Sequence, residues 1–246
     1  MGFYLRVQDV ENGLPPAYKG VVNQTYYKRL ALAQPCLQTN PSIKIPVLGS
    51  LEVEDRIVAS ASSILSMLNA SATYMRRVQE ENVYVVIVPR GKNPCDLPET
   101  KGIDCDPNWG GANLKRHQSV VIVVRTESIL CEMLNDFVQT GAALIHEFTH
   151  AIEFANRLQS KSYDAYAKAY RKGLWRGTYI DKGPIEYLPV GAEVYFGLPL
   201  NVAYQWPVKT RDELKTYDWN LYALLYEIYG DQPLIEGDHI CMYKCD

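Results

Sequence analysis

Two of the four histidines of this 246-residue chain lie four positions apart in the stretch GAALIHEFTHAIEFANRL, from Gly141 to Leu158. Residues four apart share one face of an α-helix, so His146 and His150 can direct their imidazoles at a single point. Glu147 lies about 100° around the helix from His146, where its carboxylate can reach a water bound at that point. This H-E-x-x-H spacing is typical of two zinc ligands with a general base.

The residue types suit hydrolysis. Zinc accepts neutral imidazole nitrogens and keeps one position open for water in a catalytic site. It lowers the pKa of that water toward about 7, and a carboxylate takes the proton as the water attacks a carbonyl. The apolar neighbours of the motif would bury the site and exclude bulk water. We therefore predict a zinc-dependent hydrolase with Glu147 as its base.

A third protein ligand must come from elsewhere in the chain. Glu153 lies three residues after His150 on the same helix, so we expect it to support the site or to lie at its rim. Glu193 is the preferred candidate, because a carboxylate within the apolar stretch PVGAEVYFGL needs a partner if it is buried. The alternative is an exposed Glu193 on an amphipathic helix.

The stretches HEFTHAIEF and GAEVYF resemble the glutamate-ligand zinc metalloproteases, in particular the catalytic domain of anthrax lethal factor and its relatives. The likeness covers roughly residues 119–197. It implies a zincin-like fold and cleavage of a protein or peptide substrate. Residue by residue, it implies that His146, His150 and Glu193 bind Zn²⁺ and that Glu147 is the base.

The same family has a tyrosine shortly before the ligand glutamate, which hydrogen-bonds the oxyanion. Tyr187 lies six residues ahead of Glu193, one residue closer than in the family. Tyr179 is the alternative for this role.

HEFTHA also resembles the deuterolysin type of zinc protease, in which an aspartate of G-T-x-x-D-x-x-Y-G is the third ligand. GTYID, from Gly177 to Asp181, matches the first half of that pattern, whereas KGPI does not match the second. Asp181 also lies 31 residues after His150, farther than in that family. Asp181 is therefore the alternative ligand, or otherwise a loop carboxylate.

Composition limits the classes of protein to consider. Hydrophobic residues make up 47% and charged residues 22%, as in soluble globular proteins. The net charge of −3 does not favour nucleic-acid binding. The longest apolar runs, VYVVIV and SVVIVV, are too short to span a bilayer. We expect a monomer that binds no nucleic acid and has no membrane span.

Six cysteines and two glycosylation sequons favour secretion. Cys95 and Cys105 bracket a loop that a disulfide would pin, and Cys241 and Cys245 lie close together in the C-terminal tail. For the tail, a disulfide is favoured over a structural zinc that would also use His239, because no fourth ligand is evident. The sequons begin at Asn23 and Asn69.

Periodicity predicts an α+β fold in which a small mixed sheet packs on several helices, one of them the active-site helix. We expect one domain over residues 1–246, with 1–50 as an extended N-terminal wrap and 51–246 as the catalytic core. Strands are predicted at 83–91 and 119–126, with a polar loop between them that includes LKRH. Helices are predicted at 51–82, 128–138, 140–158, 164–174, 189–197 and 210–230.

The strand SVVIVVRT has two interpretations. It is either an edge strand that pairs with the backbone of the substrate or a fully buried central strand.

A second hypothesis keeps the metal but not the catalysis. The chain would then be a protease-like binding or toxin module in which the ion only stabilises the fold. Bound zinc without cleavage of any peptide would favour this alternative.

Overall fold

The structure is a computed structural model that describes residues 7–33, 44–68, 70–116, 119–130, 132–134, 137–138, 142–198, 204–231 and 234. The predictions for Cys241, Cys245, His239 and the sequon at Asn69 fall outside these residues.

A six-stranded mixed sheet forms the centre of the fold, with strand order β1-β2-β3-β4-β6-β5. The neighbouring strands β3, β4 and β6 run parallel, and the other pairs are antiparallel. A separate two-stranded sheet pairs β7 with β8 in antiparallel fashion. The strands are β1 (Gln8–Asp9), β2 (Arg29–Ala33), β3 (Ile45–Gly49), β4 (Tyr84–Val88), β5 (Gly111–Arg116), β6 (Ser119–Arg125), β7 (Met133–Leu134) and β8 (Phe137–Val138).

The helices are α1 (Val10–Gly13), α2 (Asp55–Met67), α3 (Ala72–Glu80), α4 (Thr126–Leu130), α5 (Ala142–Ala155), α6 (Gln159–Arg171), α7 (Tyr187–Phe196), α8 (Arg211–Tyr217) and α9 (Trp219–Tyr229). Most of the helices pack on one face of this sheet, whereas the short α1 packs on the other face through Val10. Two 3₁₀ turns, Tyr179–Lys182 and Pro184–Glu186, lead into α7. Within the described part of the chain, none of the helices has the length and apolarity that crossing a bilayer requires.

The central strands are buried on both faces, because successive side chains alternate between two hydrophobic clusters. Val85 and Ile87 of β4 pack in the cluster that contains the helices. Tyr84 and Val86 pack in a second cluster with the N-terminal segment, which contributes Tyr27. This double burial explains why β4 and β6 appear in the sequence as continuous apolar runs.

The long periodic segments have the predicted type of structure. Both apolar strands are confirmed. Of the two interpretations of SVVIVVRT, the buried central strand is correct, since β6 lies between β4 and β5. The helices at 140–158, 164–174 and 189–197 correspond to α5, α6 and α7.

Other boundaries were wrong for local reasons. The segment 51–82 contains two helices, because the backbone leaves the helical region at Leu68. The segment 210–230 is also divided, since the Asp218 side chain caps the start of α9 by accepting from Leu221 N–H. The predicted loop before Gln118 contains β5. In the segment predicted as a helix over 128–138, the helix ends at Leu130, and the strands β7 and β8 follow.

The N-terminal region takes part in the sheet. The described part of residues 1–50 supplies β1, β2 and β3, where an extended wrap was expected. Part of the same region, including Tyr18, packs over the second face of the sheet.

The predicted disulfide between Cys95 and Cys105 is present. Arg116 of β5 donates to the backbone carbonyls of Glu99 and Lys101 within the bracketed loop. The loop is therefore tied both to itself and to the edge strand of the sheet.

Helix α5 is held between the sheet and the other helices. Its apolar side chains, among them Ile145, Phe148 and Ile152, are fully buried in the core. It contacts β5 and β6 on one side and α7 on another. The Thr149 hydroxyl lies 2.8 Å from the Tyr229 hydroxyl of α9. This packing leaves one polar stripe of α5 facing the segment that precedes α7.

Candidate active site

His146 and His150 face each other across one turn of α5, with ring centroids 4.9 Å apart. The residue that joins them is Glu186, at the end of the turn before α7. Its Oε2 lies 3.0 Å from His146 Nε2 and 3.6 Å from His150 Nε2. Among the described residues, these three form the group whose candidate ligand atoms all lie within 4.8 Å of one another.

Glu193 contacts the other nitrogen of the His146 ring. Its Oε1 lies 2.7 Å from His146 Nδ1, and its side chain is 13% exposed. Glu193 lies seven positions after Glu186, which is almost two helical turns, so both carboxylates approach α5 from the same side of α7. Glu193, the expected ligand, thus contacts Nδ1 of His146, whereas Glu186 contacts Nε2 of both histidines and belongs to the group that could hold a metal ion.

Sequence reasoning missed Glu186, although a signal for it was present. Tyr179 precedes Glu186 by seven residues, whereas Tyr187 precedes Glu193 by six. The longer spacing is the one that the resemblance to the lethal-factor type implied, although the GAEVYF stretch that carried this resemblance contains Glu193 and not Glu186.

Glu147 lies on the side of α5 that faces β5. The Asn113 side-chain amide donates to the Glu147 backbone carbonyl at 2.9 Å. Burial raises the pKa of the Glu147 carboxyl; the nearby His146 and His150 oppose this, and Glu186 reinforces it. A raised pKa is suitable for a group that accepts and returns a proton near neutral pH.

The charges of the site favour a cation. Burial alone would lower the pKa of His146, but hydrogen bonds to Glu186 and Glu193 outweigh it and raise that pKa well above its usual value. Burial opposes ionisation of Glu186, yet hydrogen bonds to His146 and His150 lower the pKa of this carboxyl. The pocket therefore stabilises positive charge, which a proton or a metal ion can supply.

Tyr179 lies beside the histidines, with its ring centroid 6.4 Å from that of His146. Burial and then the charges of Glu186 and Glu147 raise the pKa of the Tyr179 hydroxyl to about 12, so it stays protonated and can donate. Lys182 Nζ lies 4.5 Å from the Tyr179 ring centroid.

Tyr187 lies elsewhere. It is fully buried, and its hydroxyl donates to Asp218 Oδ2 at 2.7 Å. Trp175 Nε1 donates to the same oxygen at 2.8 Å. The Tyr187 hydroxyl therefore forms its hydrogen bond within the helical core.

The remaining candidate carboxylates do not join the three-residue group. Asp181 is exposed and accepts from Gly177 N–H at 3.1 Å, within its own turn. Glu153 is only 4% exposed and so is not a rim charge. Burial raises the pKa of Glu153.

The donor set suits a divalent transition metal. Two imidazole nitrogens and one carboxylate oxygen make up the three-ligand set of one class of catalytic zinc site. The three side chains are mostly buried, with exposures of 12% for His146, 16% for His150 and 21% for Glu186. A group of this kind in apolar surroundings needs a compensating cation.

Comparisons with known proteins identify the fold. Neither a known family model nor a curated protein matches the sequence. The structure is similar to that of the PRO-PRO endopeptidase PPEP-2 from Paenibacillus alvei, with a TM-score of 0.51 and 16% sequence identity. The match covers 74% of this chain and 96% of that one. The expected α+β, zincin-like fold class is therefore confirmed.

Proposed function

We propose that this protein is a zinc-dependent endopeptidase whose metal ligands are His146, His150 and Glu186. One observation supports it above all: the three ligand atoms converge from α5 and from the turn before α7, with Glu147 alongside. Glu186 replaces Glu193 in this assignment. The likeness to the lethal-factor type stays a prediction.

A bound zinc ion would lower the pKa of a water molecule and polarise the scissile carbonyl. The Glu147 carboxylate takes the proton of the attacking water and later passes it to the leaving amine. The Tyr179 hydroxyl donates a hydrogen bond to the oxyanion. The Glu193 carboxylate accepts from His146 Nδ1 and so leaves Nε2 free to bind metal.

The edge strand β5 offers a place for the substrate backbone. Arg125 N–H donates to the Gly110 carbonyl. In an antiparallel pair, hydrogen-bonded and non-hydrogen-bonded positions alternate, so the backbone N–H and C=O of Gly111 and Asn113 face away from β6. We propose that an extended peptide pairs with this free edge, beside Glu147.

The structural neighbour suggests which peptides to try first. Its name describes cleavage at Pro-Pro, and its identity to this chain is 16%. We propose peptides that contain a Pro-Pro pair as the first probes, together with a mixed peptide library.

Secretion is also proposed. The Cys95–Cys105 disulfide supports it, since such bonds persist mainly in oxidising compartments. Asn23, which begins one sequon, is exposed.

Metal analysis of purified variants tests the ligand assignment. Glu186→Gln should abolish stoichiometric zinc binding, because it removes an anionic ligand. Glu193→Gln should keep the ligand set and weaken affinity by about 10- to 100-fold, as loss of a carboxylate behind a histidine ligand does. Asp181→Asn is the matched control, because Asp181 also lies in the 3₁₀ turns before α7. This variant should bind zinc as the wild-type chain does. Full occupancy in Glu186→Gln would contradict the assignment.

Glu147→Gln tests the proposed chemistry. The variant should retain zinc and lose peptide cleavage, because an amide cannot accept the proton. Retained cleavage would refute Glu147 as the base. If the wild-type chain binds zinc and cleaves no peptide of the library, the metal has a structural role and the non-catalytic hypothesis replaces this one.

A further inference from the structure

We propose that Gly111, at the start of β5, is a positioning residue for the base Glu147. The inference rests on the proposed function and assigns a role within the same site. The absence of a side chain at Gly111 allows the Glu147 carboxylate to pack directly against the edge strand.

The space around Gly111 is occupied by Glu147. A Cβ added to Gly111 would lie 2.8 Å from Glu147 Cγ, 3.1 Å from Oε1 and 3.4 Å from Cδ. The shortest of these distances is below any normal carbon–carbon contact. Gly111 does not adopt a positive φ, so glycine is required here for space and not for backbone conformation.

A second contact fixes the same residue from the same strand. Asn113 lies two positions after Gly111, and residues two apart share one face of a strand. Its amide nitrogen donates to the Glu147 carbonyl at 2.9 Å. Strand β5 therefore holds the Glu147 backbone through Asn113 and leaves room for its side chain at Gly111.

This arrangement links the base to the substrate. The residues that hold Glu147 also direct their backbone polar groups to the free edge where we propose that a peptide binds. One strand thus sets the position of the base relative to the scissile bond. Positioning of this kind matters, since a misplacement of about 1 Å can lower the rate about 100-fold.

Steady-state kinetics of Gly111→Ala tests the role. The added methyl group should displace the Glu147 carboxylate and lower kcat by about 10- to 100-fold. KM and zinc content should remain close to wild type, because neither the strand edge nor the ligands change. Gly20→Ala is the matched control, since a Cβ at Gly20 meets nothing within 4 Å. An unchanged kcat in Gly111→Ala would overturn the proposal.

A double-mutant cycle separates positioning from a general loss of structure. Glu147→Ala removes the Cγ atom that the methyl group of Gly111→Ala would contact, at a large cost of its own in kcat. In that background Gly111→Ala should lower kcat by less than about twofold. An equal, multiplicative loss in both backgrounds would refute the contact.

If Gly111→Ala does not fold, Asn113→Ala provides a second test, because this substitution adds no atoms. It should still lower kcat while the zinc content is retained. An unchanged kcat in Asn113→Ala would then count against the role of β5.

The proposal can fail separately from the endopeptidase function. If the wild-type chain cleaves no peptide, the proposed function is wrong. A crystal structure of Gly111→Ala then decides the contact: a displaced Glu147 carboxylate supports it, and an unmoved carboxylate overturns it.

Discussion

Tyr179 and Tyr187 illustrate how residues of one type acquire different roles from their surroundings. Tyr179 is half-buried and lies beside His146, whereas Tyr187 is inside the core and donates to Asp218. Their positions in the sequence did not separate them. What separates them is that the Tyr179 ring lies beside His146, whereas the Tyr187 hydroxyl is hydrogen-bonded to Asp218 between helices.

Paired substitutions distinguish the two tyrosines. Tyr179→Phe should lower kcat by about 100- to 1,000-fold, the usual effect of removing one oxyanion donor, with stability and zinc content unchanged. Tyr187→Phe should lower the free energy of unfolding by about 1 kcal/mol through loss of a buried hydrogen bond, with kcat retained. Peptide-cleavage kinetics and urea unfolding measure both effects. The reverse pattern would restore Tyr187 as the oxyanion donor.

At the scale of elements, the site depends on how closely α7 approaches its neighbours. Gly191 lies on α7 between Glu186 and Glu193. A Cβ on Gly191 would lie 2.7 Å from both terminal carbons of Leu221 on α9. Leu221 is fully buried, and the close packing of protein interiors resists its displacement. The close contact with α9 thus helps to set the height of α7 above the histidines.

Gly191→Ala should destabilise the protein. Overpacking of a core costs about 1–3 kcal/mol, whereas alanine gains about 1 kcal/mol over glycine in a helix. We expect a net loss of about 1 kcal/mol in the free energy of unfolding, measured by urea denaturation.

The same change in the Leu221→Ala background is the control. With the clashing side chain truncated, Gly191→Ala should stabilise, because only the gain in helix propensity remains. Destabilisation in both backgrounds would show that the α7–α9 contact is not the cause.

At the scale of the whole molecule, the second face of the sheet contains a buried carboxyl group. Glu99, in the disulfide-bracketed loop, is 6% exposed and accepts hydrogen bonds from Tyr27 and Tyr84. It thus joins the loop, the N-terminal segment and β4. Burial raises the pKa of Glu99 above its usual 4.5, although the two tyrosine hydroxyls oppose this shift.

The sign of the resulting pH dependence follows from linkage. A carboxyl group with a raised pKa binds more protons in the folded state, so its contribution to stability falls as pH rises from 4.5 through the folded pKa. Glu99→Gln removes this titration. Urea unfolding of both proteins across this range should show the variant gaining stability relative to wild type as pH rises. Glu147 and Glu153 titrate in both proteins, so their contributions cancel in the difference. Parallel profiles of stability against pH for the variant and the wild type would contradict the raised pKa of Glu99.

The sequence by itself determined the features that depend on near neighbours in the chain. The pairing of His146 with His150 follows from the helical repeat and needs no tertiary contact. The apolar strands β4 and β6 and the disulfide of Cys95 with Cys105 were likewise predicted from local patterns. The expectation of a zincin-like fold followed from these elements together with the resemblance of the HEFTH helix to zinc metalloproteases.

Only the tertiary structure decided which distant groups meet. Glu186 lies just before α7 and Glu193 lies within it, and the choice between them depends on the height at which α7 packs against α5. The identity of the edge strand was also a tertiary matter, since β5 is polar and gains its place by pairing with β6. Helix and strand periodicity act over a few residues, whereas convergence of side chains dozens of residues apart is set by how the layers pack.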